Sequence, residues 1–298
     1  MSLHRGEPVS ATASQVAAWL LIEVNGPWGR DAVSHSELSP HAPQIWREAM
    51  RRQGIRVIAI RRDLAHHHAG PHEARVVHVV APRPGEVAGA AYRRTLGDLH
   101  EVVSATASIA AGHGHDGGWE PDDERYVLVC TNGRHDPCCA TYGRPIVRGL
   151  RETRWADEVW ECSHIGGDRF AGNVVLLPDS LYFGRLDLAG AERMLEAHDR
   201  GHLDLEHFRG RSTFRLAEQA AEHFVRRELA VDALDAVQAV ERLDDQHLRV
   251  ELAVAGGRST YDVAVERMSV PAQTPLTCTG KQGLSYPEFR LRELTRSA

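Results

Sequence analysis

The 298-residue sequence predicts an α/β protein, in which two units of similar element order precede a smaller α+β region. Two observations predict this fold class. Apolar runs of strand length alternate with amphipathic helical patterns, and the series of a strand, a helix and further strands occurs twice. Beyond about residue 205 the pattern changes to helices followed by long alternating strands. We therefore expect three domains, at residues 1–120, 121–204 and 205–298.

The first unit begins with an apolar strand in AAWLLIEVNGPWG (17–29), which ends at a Gly-Pro turn. A helical pattern follows in PHAPQIWREAMRRQG, with Gly54 as its stop. IRVIAIRRD and ARVVHVVAPRPG then have the composition of two strands. The predicted order is β-α-β-β, and the polar segment 112–124 separates this unit from the next.

The second unit repeats this order. RYVLVC predicts a strand, PCCATYGRPIVRGLRETR a helix and VWECSH a second strand. VVLL and LYFGRL, joined by Pro178-Asp179-Ser180, predict a β-hairpin, and LAGAERMLEAHDRG predicts a closing helix. Two units of similar order indicate a duplicated fold, although few residues are identical between them.

The C-terminal region has a different pattern. RSTFRLAEQAAEHFVRRELA and VDALDAVQAVERL predict two helices. LRVELAVAGGRSTYDVAVERM alternates apolar and polar residues around Gly256-Gly257, which is a hairpin signal. The tail, TPLTCTGKQGLSYPEFRLREL, is expected to supply an edge strand.

Composition narrows the class of protein. The chain is 42% hydrophobic and 26% charged, as in soluble globular proteins, and its formal charge of -6 argues against a nucleic-acid surface. No apolar run approaches the roughly 18 residues that a membrane span needs, and MSLHRGEPVS lacks a hydrophobic signal core. We expect a cytoplasmic protein without a nucleic-acid or membrane partner. An odd count of five cysteines then favours metal binding or thiol chemistry over structural bridges.

Three of the five cysteines lie in VLVCTNGRHDPCCATYG (127–143). Asp136-Pro137 resembles a helix N-cap followed by proline at the first helical position. Cys138 and Cys139 would then lie in the first helical turn, where the helix dipole favours a thiolate. Because Cys130 ends the preceding strand, it could share an ion or a cluster with one of this pair.

A second concentration of potential ligands lies in VWECSHIGGDRFAGN (159–173). His164 and Asp168 are four residues apart, and both side chains can bind a metal. Gly166 and Gly167 between them would let the backbone pass close to an inorganic centre and donate N–H groups to it. We therefore predict that these two glycines contact a cofactor.

Taken together, Cys130-x8-Cys139 and His164-x-Gly-Gly-Asp168 resemble the sucrase/ferredoxin-like family. Its domain is a thioredoxin-like [2Fe-2S] ferredoxin, in which the usual motifs are C-x8-C and H-x-G-G-H. The resemblance implies that Cys130, Cys139, His164 and Asp168 bind the cluster, with Asp168 in the place of the second histidine. NVVLLPDSLYFGRLD resembles the following ferredoxin hairpin, while WLLIEVNGPWGRDA and FRGRSTF resemble the long bacterial members. The family resemblance also implies an electron-transfer protein, without catalytic residues, that docks on another redox protein.

Three alternatives remain open at this point. Cys162 would lie on the same side of its strand as His164 and could be the fourth ligand. Cys138 and Arg144 form a C-x5-R pattern that could serve a phosphatase-like thiol enzyme, although Pro145 would distort the helix. The chain could also be a binding module whose cluster site has decayed. The sequence predicts neither the oligomeric state nor the identity of the electron donor and acceptor.

Overall fold

The computed structural model describes residues 2, 5–32, 42–62, 74–83, 85–98, 101–254, 257–278 and 280–297. Its main feature is a mixed sheet of ten strands, and a separate antiparallel sheet of four strands lies in the C-terminal part. This combination of helices and sheets confirms the predicted α/β fold class. None of the helices that the structure describes is both long enough and apolar enough to span a membrane.

The first α/β unit extends the predicted β-α-β-β order by two strands and one helix. Its first helix ends where Gly54 adopts a left-handed φ of +66°, which confirms the predicted stop. The sequence analysis missed the fourth strand because Arg93 and Arg94 interrupt its apolar alternation. The elements are β1 (Ala18–Glu23), α1 (Ala42–Gln53), β2 (Ile55–Arg61), β3 (Ala74–Val80), β4 (Ala90–Leu96), α2 (Val102–Ala111) and the short β5 (Glu120–Pro121), which pairs with β4.

The second unit has the same order of strand, helix, three strands and helix. The predicted hairpin is present, and its turn contains Pro178 and Ser180, the latter with a left-handed φ of +60°. The elements are β6 (Tyr126–Cys130), α3 (Pro137–Leu150), β7 (Val159–Cys162), β8 (Val174–Leu177), β9 (Leu181–Phe183) and α4 (Leu188–Asp199). Each predicted strand and helix of this unit is confirmed.

The strand pairing shows that the two units are related by an approximate two-fold rotation. In the first unit β1 pairs parallel with β2 and antiparallel with β3, which pairs antiparallel with β4. In the second, β6 pairs with β7 and β8, and β8 with β9, in the same orientations. The order β9-β8-β6-β7-β2-β1-β3-β4 is therefore the same from both ends. At its centre β2 and β7 are antiparallel, with Ile60 opposite Cys162. This symmetry supports the predicted duplication, while the boundaries at residues 120 and 204 stay predictions.

The C-terminal region adds β10 (Phe208–Arg211) to the edge of the large sheet, beside β9. Helix α5 (Leu216–Glu228) then packs on the small sheet. That sheet consists of β11 (Val237–Arg242), β12 (His247–Val254), β13 (Gly257–Pro271) and β14 (Ser285–Arg296), in this order. The tail is thus an edge strand, as predicted. The β12–β13 hairpin is present too, although Gly256 lies outside the described residues.

One predicted helix is wrong. VDALDAVQAVERL contains strand β11, which pairs with β12 through Val240 opposite Val250. Its apolar residues are spaced as in a helix, but Val237 and Val240 pack beside α5 as part of the sheet. The tertiary packing therefore overrides the local pattern, as is common for short β-branched segments.

Candidate metal centre

The first two predicted ligands lie at a strand end and at a helix start. Cys130 is the last residue of β6, and Cys139 is in the first turn of α3; both are 1% exposed. The Asp136 carboxylate caps this helix by accepting a hydrogen bond of 2.9 Å from the Cys138 N–H, and Pro137 occupies the first helical position. These contacts confirm the predicted cap, which fixes the direction in which α3 leaves the sheet.

The other two predicted ligands, His164 and Asp168, lie one on each side of the glycine turn after β7. Gly166 and Gly167 have left-handed φ values of +91° and +83°. A Cβ at Gly167 would lie 2.3 Å from Arg209 Nη2, so that both the backbone conformation and the close approach require glycine. The turn brings Asp168 back towards His164. Direct contact between these glycines and a cofactor stays a prediction.

Cys130, Cys139 and His164 form a cluster of potential ligands where these segments meet, which we call the thiol cluster. The Sγ atoms of Cys130 and Cys139 and a ring nitrogen of His164 all lie within 4.8 Å of one another. The structure thus brings together three of the four predicted ligands. They come from a strand end, a helix start and a loop, and the buried core surrounds both cysteines.

The two cysteines of the thiol cluster differ in pKa. A hydrogen bond from the Cys139 thiol lowers the pKa of Cys130, and His164 lowers it further against the effect of burial. The same hydrogen bond and burial raise the pKa of Cys139. Cys130 is therefore the thiolate of the pair, and Cys139 retains its proton in the metal-free protein.

A second group of potential ligands shares His164 with the first. A ring nitrogen of His135, a ring nitrogen of His164 and a carboxylate oxygen of Asp168 lie within 4.8 Å of one another. Asp168 Oδ1 is 2.8 Å from His164 Nδ1, and Asp168 Oδ2 is 3.6 Å from His135 Nε2. The two imidazole rings are stacked, with centroids 3.7 Å apart and an angle of 12° between their planes.

The contact between Asp168 and His164 is an ion pair without the alignment of a hydrogen bond. Both His164 Nδ1 and Asp168 Oδ1 are buried and lack a hydrogen-bond partner among the described residues. Burial alone would lower the pKa of His164, but the Asp168 carboxylate and the Cys130 thiolate outweigh it and raise the pKa to about 9. The pKa of Asp168 is lowered, because its contact with His164 outweighs burial.

His135 is the residue of this centre that the sequence analysis missed. It precedes the N-cap of α3, in the loop that connects Cys130 to Cys139. That position between two predicted ligands is the only sequence signal that would have pointed to it. Its ring stacks on the ring of His164, although the two residues are about 30 positions apart in the chain.

The remaining predicted residues lie outside these two groups. Cys162 is buried opposite Cys130 in the β6–β7 pair, but its sulfur belongs to neither group. Cys138 forms a disulfide with Cys278, whose backbone N–H also donates to Asp136 Oδ2 at 2.9 Å. The expectation of no structural bridge is thereby corrected. In this structure Cys138 has no free thiol for the phosphatase-like role.

A family model described as sucrase/ferredoxin-like matches residues 9–210, roughly two thirds of the chain. The match includes all five residues of the two groups and almost the whole ten-stranded sheet. Neither a curated protein nor a solved structure matches the sequence.

Proposed function

The chain belongs to the sucrase/ferredoxin-like family, and on this basis we propose that it binds a [2Fe-2S] cluster and carries single electrons between redox proteins. The observation that carries this proposal is the approach of Cys130, Cys139 and His164 to within 4.8 Å of one another. Two buried thiols beside an imidazole are a donor set that suits iron–sulfur chemistry.

The residues present fit such a cluster. Each of its two irons needs two protein ligands, and the two potential ligand groups, which share His164, offer thiols at one end and nitrogen or oxygen donors at the other. His164 Nδ1 and Asp168 Oδ1 are buried atoms without a hydrogen-bond partner among the described residues. Bound to the chain, the cluster would supply reversible one-electron transfer.

The surroundings of the two cysteines set the protonation states in which they would meet the cluster. Because the pKa of Cys130 is lowered, this cysteine offers a thiolate at neutral pH without first losing a proton. The backbone N–H of Ile165 also lowers the pKa of Cys130, and hydrogen bonds to sulfur are one means by which proteins raise a cluster potential. Cys139 must lose its proton on ligation, so cluster assembly is expected to release protons.

The position of the centre suits docking of a redox partner at its histidine end. The cysteines are 1% exposed, whereas the side chains of His164 and His135 are 23% and 29% exposed. We propose that electrons enter and leave through the imidazoles, since these are the parts of the centre nearest to solvent. The partner is another redox protein.

Iron and acid-labile sulfide content, together with the absorption spectrum of anaerobically purified protein, tests this function. We expect about two irons and two sulfides per chain, and loss of both in Cys130→Ser and Cys139→Ser. Cys162→Ser is the matched control, because this cysteine is equally buried but belongs to neither ligand group. A colourless protein that holds no iron even after reconstitution would favour the decayed binding module instead.

A further inference from the structure

We propose that His135, rather than Asp168, is the fourth ligand of the cluster, and that Asp168 is a positioning residue for the histidines. This inference rests on the proposed function, since it concerns the same centre. The second ligand group contains three potential donors, namely His135, His164 and Asp168, whereas an iron bound to two sulfides of the cluster has room for two. One of the three therefore has another role.

The hydrogen bonding of His135 identifies it as a ligand. Its Nδ1 lies 3.3 Å from the backbone carbonyl oxygen of Arg30, which can only accept a hydrogen bond. Nδ1 therefore carries a proton, and in the neutral ring, which is the form that binds a metal, Nε2 holds the free lone pair. Metal-binding histidines are typically fixed in this way, with the second ring nitrogen donating to a carbonyl or carboxylate.

The free nitrogen of His135 points towards the centre. Nε2 lies 3.6 Å from Asp168 Oδ2, which is too long for a hydrogen bond, so that this lone pair is not occupied by Asp168. The ring of His164 is stacked on that of His135 with centroids 3.7 Å apart, and a ring nitrogen of each histidine lies within 4.8 Å of the other. Two imidazoles on one side and two thiols on the other form a set of two cysteines and two histidines.

Asp168 is better suited to hold the two rings in place. Its carboxylate faces both histidines, at 2.8 Å from His164 and 3.6 Å from His135. A carboxylate that contacts the second nitrogen of a metal-binding histidine fixes the ring and increases its basicity. A carboxylate is also a harder ligand than imidazole and suits iron–sulfur centres less well.

Pulsed EPR of the dithionite-reduced, ¹⁵N-histidine-labelled protein tests the inference by counting the nitrogens bound to iron. We expect two coupled nitrogens in the wild type and in Asp168→Asn, but one in His135→Ala. His202→Ala is the control, since this histidine is 47% exposed and contacts Asp232 instead of the centre. One coupled nitrogen in a wild type that contains iron would overturn the ligand role of His135 and leave the cluster itself in place.

A second variant separates ligation from folding if His135→Ala loses the cluster. His135→Cys supplies a thiolate at the same position, and we expect it to retain iron and to show one coupled nitrogen. If His135→Cys still shows two couplings, His135 is not a ligand. Absence of iron from the wild type would instead overturn the proposed function, so the two failures are distinguishable by the iron assay.

Discussion

Asp168 Oδ1 lies 2.8 Å from His164 Nδ1 across the Gly166-Gly167 turn. The pair holds a charged imidazole beside a buried thiolate, and it connects the two potential ligand groups of the centre. Because all of these side chains come from loops or element ends, the geometry of the turn decides whether they meet.

The first prediction concerns the pH dependence of stability in the metal-free protein. The folded pKa of His164 is raised to about 9 from an ordinary 6.5. Stabilisation by Asp168 is therefore fully present below pH 6.5 and is lost as the pH rises through 9. We expect Asp168→Asn to lower the free energy of unfolding by about 2 kcal/mol at pH 6 and to have little effect at pH 10.

Urea denaturation of both proteins at the two pH values measures this difference. NMR titration of the His164 ring in the same samples should show its pKa falling in Asp168→Asn. An equal loss of stability at pH 6 and pH 10 would mean that Asp168 acts through packing and not through charge.

The second prediction concerns the glycine turn. Gly167→Ala introduces a Cβ at φ +83°, 2.3 Å from Arg209 Nη2. Gly201 is a matched control, because it has a φ of +79° and no atom within 4 Å of the added Cβ. Both variants are strained by about 1–2 kcal/mol, but only Gly167→Ala must also displace the buried guanidinium of Arg209. We expect Gly167→Ala to lose most of its iron and Gly201→Ala to retain it.

Iron content per chain and thermal unfolding of each variant measure the two effects separately. Full iron occupancy in Gly167→Ala would show that the turn adapts and that its shape does not control the centre.

The third prediction concerns the reduction potential. With imidazole in place of thiolate ligands the cluster carries less negative charge, which favours the reduced form. We expect a potential above the roughly −400 mV of plant-type four-cysteine ferredoxins. If Asp168 were a ligand, the oxidised centre would carry about one negative charge more than with His135, and the potential would lie below that of a two-histidine centre.

Redox titration between pH 6 and pH 10 measures this potential. We expect it to fall with rising pH where a bound histidine loses its proton on oxidation. A potential as low as that of four-thiolate proteins would contradict the charge argument.

The fourth prediction concerns the Cys138–Cys278 disulfide, which joins α3 to a segment 140 residues further along the chain. Closing so long a loop restricts the unfolded chain, so Cys278→Ser should lower the free energy of unfolding by about 2–4 kcal/mol. Cys138→Ser and the double variant should lose the same amount, because all three lack the same bond. Urea denaturation of the metal-free proteins measures the losses. An identical midpoint for wild type and Cys278→Ser would show that the bond does not contribute.

The sequence predicted most of the fold because local patterns determine most of its elements. Each element of the second unit was confirmed, and so was the cap at Asp136. The failures share one cause. The segment of β11 looks helical by apolar spacing, but it is a strand because it pairs with β12 and packs beside α5. Likewise, β4 was not predicted because Arg93 and Arg94 interrupt its apolar alternation, and it is a strand because it pairs with β3.

The sequence by itself determined the motifs of the centre: a thiol at a strand end, a capped helix that starts with cysteines, and a glycine turn between His164 and Asp168. Only the tertiary structure decided that His135 stacks on His164, that Cys138 pairs with Cys278, and that β2 meets β7. The physical reason is the distance along the chain over which each kind of interaction acts. Capping and periodicity act between near neighbours in the chain, whereas these contacts join segments that only the packed sheet brings together.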